Sequence, residues 1–213
     1  MGDRQIFDGK PVLEFSTDTN RRSFLKYAGL VGVGASLVAG GVLNAPYAAA
    51  APAVSKGDLD ILNYGLTLEY LESDFYSTGL AKGFLKGREL ELITPIGEHE
   101  KEHVTVLTST IKSLGGTPVD KPKITYPAGI FTSRDKFLAT ASVFEELGVK
   151  AYHGQVPLIK SGDVLGAAAS IAGVESRHAA IIASLTGGNP FPNQIEMHAS
   201  MAEVLAAVKP LIS

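Results

Sequence analysis

The sequence contains no cysteine among its 213 residues. This absence excludes disulfide bonds, thiolate metal sites, a cysteine nucleophile and a lipoprotein anchor. Basic residues are also few: 19 lysines and arginines against 22 aspartates and glutamates give a net charge of −3, which does not favour nucleic acid as a partner. No run of residues alternates between polar and apolar in the manner of a β-strand. Any metal site must therefore use ligands other than thiolates, in a fold built mainly from helices.

The composition is that of a folded chain. Hydrophobic residues make up 45% of the sequence and charged residues 19%, which is too apolar for a disordered protein. The length allows one domain with an extension. We predict a signal segment at 1–53, a helical bundle at 54–187, and a linker with a C-terminal helix at 188–213.

The amino-terminal segment resembles a twin-arginine export signal. Residues 20–26 read Asn-Arg-Arg-Ser-Phe-Leu-Lys, and an apolar stretch (27–43) and small residues (44–53) follow. The resemblance implies that the twin-arginine machinery exports the folded protein to the periplasm, and such cargo often carries a metal or cofactor. The apolar stretch holds five glycines in 17 residues, which makes a poor membrane span. Retention of this segment as an uncleaved membrane anchor stays open, as does a homo-oligomeric state.

Helical periodicity dominates the rest of the chain. Ser133 and Asp163 are candidate caps of the third and fourth predicted helices, and two glycines at 115–116 end the second. The connection at 117–132 contains three prolines and can extend along a helix of about 36 Å, because an extended chain spans about 3.3 Å per residue. The second and third helices can therefore be parallel. The predicted helices lie at about 56–82, 88–114, 133–159, 163–185 and 194–212.

Two of these helices carry the same pair of ionisable residues at the same spacing. Glu100 and His103 lie in the second helix, and Glu175 and His178 lie in an apolar stretch of the fourth. Residues three apart share one face of a helix, so each pair can offer a carboxylate and an imidazole to one metal ion. Burial of such groups without a partner is costly. A metal ion is the partner that this pattern predicts.

The first and third helices carry a second matching pair. Glu69 precedes Tyr76 by seven residues, and Glu145 precedes Tyr152 by seven. Seven residues make two helical turns, so each glutamate lies on the same face as its tyrosine, and apolar residues occupy that face too. Both glutamates are therefore predicted to point into the core.

The positions of the turns predict that these groups meet. In a helical hairpin, residues equidistant from the turn lie at the same level. The turn at 83–87 lies midway between Glu69 and the first Glu-x-x-His pair, and the turn at 161–163 lies next to the midpoint between Glu145 and the second pair. Two such hairpins would bring four glutamates and two histidines to one level of a bundle.

This arrangement resembles the ferritin-like di-iron or di-manganese carboxylate proteins, in which two helices give one glutamate each and two give Glu-x-x-His. The segments LNYGLTLEYLESDFY (62–76) and VFEELGVKAYHG (143–154) look like the first and third helices of exported bacterial ferritin-like domain proteins, and the resemblance extends over about 56–186. It implies an all-α ferritin-like four-helix bundle, with a long crossover between helices 2 and 3 and a short C-terminal helix. It also implies that six residues are ligands of two Fe or Mn ions: Glu69, Glu100, His103, Glu145, Glu175 and His178. Of these, Glu100 and Glu175 would bridge the two ions. Tyr76 and Tyr152 would donate hydrogen bonds to the ligands.

Neighbouring residues compete for some of these roles. Glu72 lies beside apolar residues at helical spacing and competes with Glu69, and Glu146 competes with Glu145, although the neighbours of Glu146 are polar. For each glutamate or histidine taken alone, a solvated or structural role is the ordinary alternative. Three further histidines are expected to face solvent: His99, His153 and His198.

One segment matches a different metal motif. Residues 99–103 read H-E-K-E-H, the zinc-protease pattern, in which Glu100 would be the general base. The extended form of that motif would need a glycine and a histidine where Val106 and Ser109 stand. The zinc interpretation also leaves Glu69, Glu145 and the second Glu-x-x-His pair unexplained, so we disfavour it.

The sequence alone leaves two classes of function open. The first is redox chemistry of a di-metal centre with O₂ or H₂O₂, of a ferroxidase-like or manganese-catalase-like kind, because oxygen ligands with two imidazoles suit Fe and Mn. The second is a metal-binding or structural bundle of the cell envelope without turnover. Consumption of O₂ or H₂O₂ by the metal-loaded protein separates these two classes.

Export gives the first testable prediction. Replacement of Arg21 and Arg22 together by lysine should leave the protein in the cytoplasm, because the twin-arginine signal depends on that pair. Fractionation of cells that express the wild-type and double-variant chains measures this. Normal export of the double variant would contradict the assigned signal.

Overall fold

A computed structural model describes residues 54–212, so the predicted signal segment at 1–53 lies outside the described residues. These residues form five α-helices and contain no strand, as the sequence predicts. A 3₁₀ turn, Val156–Leu158, follows the third helix. The helices are α1 (Lys56–Leu80), α2 (Arg88–Ser113), α3 (Arg134–Gln155), α4 (Gly162–Thr186) and α5 (Met201–Val208).

Serine side chains begin most of these helices. Ser133 accepts a hydrogen bond from the Lys136 amide and caps α3, as predicted. The cap of α4 is Ser161, which accepts from the Val164 amide, so the prediction of Asp163 as the cap is wrong. Helix α3 ends at Gln155, short of the predicted 159, because the chain tightens into the 3₁₀ turn that contains Pro157.

The connection between α2 and α3 runs back along α1 and makes α2 and α3 parallel. Near its start, the Val119 amide donates to Asn63 Oδ1 at 2.7 Å. Further on, the Tyr126 hydroxyl donates to the Leu71 carbonyl of α1. At its end, Arg134 pairs with Glu89 at the start of α2, with 2.8 Å between Nε and Oε1. The two hairpins α1–α2 and α3–α4 are therefore joined by the one long crossover that the sequence predicts.

Two apolar layers fill the bundle. Along α2, Ile93 and Ile96 belong to one layer and Leu107 and Ile111 to the other. The face of α2 between them carries Glu100 and His103, both buried. The Glu-x-x-His level is therefore enclosed by hydrocarbon above and below, which excludes water and strengthens every electrostatic interaction there.

The C-terminal segment packs on the outside of α3. Its helix α5 begins at Met201, later than the predicted 194, because Ser200 and Glu203 form a capping box that fixes the first turn. The Ala199 amide donates to the Lys150 carbonyl at 3.0 Å. A Cβ at Gly154 would lie only 1.8 Å from the Ala199 carbonyl oxygen, so glycine permits this close approach. Within residues 54–212 no helix has the length and apolar character of a membrane span.

Candidate metal centre

The structure brings the six predicted ligands together at one level of the core. Each of the four central helices contributes one of the four glutamates, and all four side chains are fully excluded from solvent. The two histidines come from α2 and α4 and are buried as well. The residues are Glu69 on α1, Glu100 and His103 on α2, Glu145 on α3, and Glu175 and His178 on α4.

Their ligand atoms form two overlapping groups, each with atoms within 4.8 Å of one another. Glu100 and Glu175 belong to both groups, which is the arrangement that bridging carboxylates need. Each group adds one further glutamate and one histidine. The first group is Glu69, Glu100, His103 and Glu175, and the second is Glu100, Glu145, Glu175 and His178.

Both histidines turn the Nδ1 atom toward the carboxylates. His103 Nδ1 lies 3.1 Å from Glu69 Oε2 and 3.2 Å from Glu100 Oε2. His178 Nδ1 lies 2.9 Å from Glu100 Oε1 and 3.4 Å from Glu145 Oε2. The same ring nitrogen of each histidine is thus available to an ion held among the carboxylates.

The nitrogen and oxygen atoms of this cluster are better placed to coordinate a pair of metal ions than to form hydrogen bonds with one another. His178 Nδ1 and Glu100 Oε1 are close, yet neither forms a hydrogen bond of acceptable geometry with any described residue. Glu145 Oε2 and both carboxylate oxygens of Glu175 are likewise buried without a hydrogen-bond partner among the described residues. Buried polar atoms are almost always satisfied in native proteins. Convergence of such atoms on common points is what metal coordination requires.

Two tyrosines support the glutamates across the bundle. The Tyr76 hydroxyl donates to Glu145 Oε1, and the Tyr152 hydroxyl donates to Glu69 Oε1. Because α1 and α3 run antiparallel and each carries glutamate and tyrosine seven residues apart, each tyrosine meets the glutamate of the opposite helix. Each bond occupies one oxygen of its glutamate and leaves the other oxygen for an ion.

The sequence pattern of the ferritin-like domain matches residues 57–188, well over half of the chain. The chain belongs to the ferritin-like domain family.

Two solved structures share its fold. Ferritin-like, diiron-carboxylate proteins from Bacillus anthracis align with a TM-score of 0.50 and 21% identity, over 62% of this chain and 99% of theirs.

A hypothetical protein from Methanococcus jannaschii aligns with a TM-score of 0.52 and 14% identity, over 80% of this chain and 98% of its own. At such identities the likeness shows the fold alone. No curated protein matches the sequence.

The two pairs of competing glutamates in this ferritin-like chain have different outcomes. Glu146 is half-buried and stands outside both ligand groups, whereas Glu145 is fully buried in one of them. Glu69 lies in a ligand group, but Glu72, its predicted competitor, is also buried, with 4% of its surface exposed. The core therefore contains a fifth carboxylate at this level, which the sequence suggested only as an alternative to Glu69.

His99 is exposed, as expected, but its ring also contacts another side chain. Its ring stacks on His178 with centroids 5.2 Å apart, and its Nδ1 lies 2.9 Å from His178 Nε2. If His178 Nδ1 held a metal ion, its Nε2 would carry the proton and donate a hydrogen bond to His99 Nδ1, which would fix the ring orientation. His99 belongs to neither ligand group among the described residues, so the geometry disfavours the zinc-protease interpretation.

The remaining predictions about solvent-facing residues have mixed outcomes. His198 is exposed, as expected. His153 is half-buried, and its Nδ1 donates to the Val149 carbonyl at 2.8 Å, so the expectation that it faces solvent is only partly met.

Burial and mutual repulsion shift the protonation of the cluster. Burial raises the pKa of Glu69 to about 7. Burial, with repulsion from Glu100, also raises the pKa of Glu175 well above its usual range. Burial alone would lower the pKa of His178, but its contacts with Glu100 and Glu145 raise that pKa to about 10. Without metal, protons must therefore compensate the carboxylates.

The stability of the metal-free protein should consequently depend on pH. Glu69 and His178 have folded pKa values of about 7 and 10, above their ordinary 4.5 and 6.5, so the folded state holds more protons than the unfolded state between those limits. The melting temperature of metal-free protein should therefore fall as pH rises from about 5 to about 9. Metal-loaded protein is the control and should not show this fall, because ions replace the protons. A melting temperature of the metal-free protein that stays level or rises over this range would contradict the assignment.

Proposed function

We propose that this chain is an exported ferritin-like protein that holds two Fe or Mn ions and uses them in redox chemistry with O₂ or H₂O₂. The observation that carries the proposal is the pair of overlapping ligand groups, which share Glu100 and Glu175 in a fully buried layer. The diiron-carboxylate proteins from Bacillus anthracis, which share the fold, support Fe as the first candidate. Oxygen ligands with two imidazoles suit Mn as well.

Different residues would have different roles in such a centre. Two divalent ions would together supply two electrons, enough to reduce one H₂O₂ to two waters with the uptake of two protons. Glu100 and Glu175 would hold the two ions at a fixed separation. Tyr76 and Tyr152 fix the outer glutamates through hydrogen bonds, and the apolar layers keep bulk water away. The four carboxylates of the six-ligand set balance the charge of two divalent ions.

The second candidate is a metal-binding bundle without turnover, and the depth of the centre favours it. All four carboxylates have no exposed surface. The exposed ring of His99 stacks on His178, and His178 and His103 retain only 3% and 7% exposure. Of the six ligands, the two histidines alone reach solvent, so a substrate would approach from their edge. Metal ions in such an enclosed layer could serve stability alone.

The proposed location is outside the cytoplasm. Support comes from the resemblance of residues 20–26, with the apolar and small residues behind them, to a twin-arginine signal. That pathway carries folded proteins, which suits a metal centre built from four helices. The proposed partners are the export machinery, metal ions, and O₂ or H₂O₂.

Metal content tests the first part of the proposal. Purified protein should hold about two Fe or Mn ions per chain. Glu100→Ala or Glu175→Ala should remove most of the metal, because each would delete a ligand common to both ions. Glu98→Ala is the matched control, since Glu98 is an exposed glutamate on the same helix. Elemental analysis measures the outcome, and a single zinc ion lost with His99→Ala but kept with His178→Ala would overturn the di-metal assignment.

Consumption of oxidant tests the second part. Protein loaded with Fe(II) or Mn(II) should consume O₂ or H₂O₂, followed with an oxygen electrode or by peroxide absorbance. Tyr76→Phe and Tyr152→Phe should change the rate about tenfold, because each removes the hydrogen bond that orients a ligand. If the fully loaded protein consumes neither oxidant, the redox proposal fails and the metal-binding bundle stands.

A further inference from the structure

Glu72 is a buried carboxylate that the six-ligand centre does not use. It lies one turn after Glu69 on α1, and 4% of its surface is exposed. Its Oε2 has no hydrogen-bond partner among the described residues. No lysine, arginine or histidine of residues 54–212 lies within ion-pair distance of it in the structure. An unpaired buried carboxylate is costly, so this position calls for an explanation.

Asp58 shows how this chain accommodates a buried carboxylate outside the metal centre. Asp58 is as deeply buried, at 1% exposure. Its carboxylate accepts hydrogen bonds from the backbone amides of Lys160 at 2.8 Å and Ser161 at 3.2 Å. These bonds join the start of α1 to the α3–α4 turn and account for the burial of Asp58. Glu72 Oε2 has no comparable partner.

The side chain of Glu72 points toward the metal centre. A Cβ placed on Gly148 would lie 3.2 Å from Glu72 Oε1 and 3.1 Å from Glu175 Oε2. The two carboxylates therefore flank one space, which is open only because α3 carries glycine at this level. Glu72 and Gly148 also line a cavity of about 10 Å³ together with Val208 of α5. The glycine at this level therefore leaves the two carboxylates facing each other with no side chain between them.

We propose that Glu72 is a seventh protein ligand of the di-metal centre, binding beside Glu175 in the space that Gly148 leaves open. This inference rests on the proposed binding of two ions. The six other ligands carry four negative charges, which balance two divalent ions but fall two short of two trivalent ions. Glu72 would supply a fifth negative charge in either valence state and bring the ligand set closer to balancing two trivalent ions, so its ligation would favour the higher valence.

Three variants test this proposal on protein loaded with Co(II), whose absorption spectrum reports the ligands. Glu72→Gln keeps the size of the side chain and removes its charge. Glu72→Asp keeps the charge but shortens the reach, and it serves as the second variant if the amide impairs folding. Glu146→Gln is the matched control, because Glu146 is a half-buried glutamate on α3 outside both ligand groups.

All three variants should still bind two Co(II) ions, but only the Glu72 variants should change the absorption spectrum. After loading with Fe(II) and oxidation, Glu72→Gln should release Fe(III) to a chelator about tenfold faster than wild type. A crystal structure of the loaded wild type should show a Glu72 oxygen about 2.0–2.2 Å from an ion. Unchanged spectra and release rates in both Glu72 variants would overturn the seventh ligand while leaving the six-ligand centre intact. A wild type that binds neither Co(II) nor Fe(II) would overturn both proposals.

Discussion

Four carboxylates excluded from water at a single level of the core are the constraint on which the rest of this structure depends. Such a layer is unstable unless cations or protons neutralise it, because the surrounding hydrocarbon cannot solvate charge. The two apolar layers above and below make the repulsion stronger and would make the binding of cations correspondingly tighter. The bundle is therefore built around an excess of buried negative charge, which a pair of metal ions would neutralise.

The long crossover makes this layer geometrically possible. By returning along α1, it sets α3 antiparallel to α1, so that Glu69 meets Tyr152 while Glu145 meets Tyr76. A short connection would have reversed α3 and placed each tyrosine at the wrong level. The hydrogen bonds between Val119 and Asn63 and between Tyr126 and Leu71 hold the crossover against α1. Residues far from the cluster thus determine how its ligands are oriented.

The sequence could predict the features that depend on helical period and hairpin symmetry. The six residues that gather in the core follow from the Glu-x-x-His spacing and from the midpoints of two short turns. The burial of Glu72 could not be predicted, because it depends on the register of α1 against α3, which sets Gly148 opposite it. The contact of His99 with His178 depends in the same way on the rotation of α2 against α4. The late start of α5 could be predicted from the spacing of Ser200 and Glu203, which is that of a capping box. This helix-start signal outweighs the helical periodicity of the residues before it.

The two overlapping ligand groups also determine when during its synthesis the protein can acquire metal. A nascent chain that has completed only the first hairpin carries Glu69, Glu100 and His103 but lacks the shared Glu175. Both groups become complete only after α4 has left the ribosome and the second hairpin has docked on the first. Neither half of the chain can capture an ion with its full ligand set. Binding of a metal ion by a complete ligand group would therefore be a late event, after both hairpins have formed and docked.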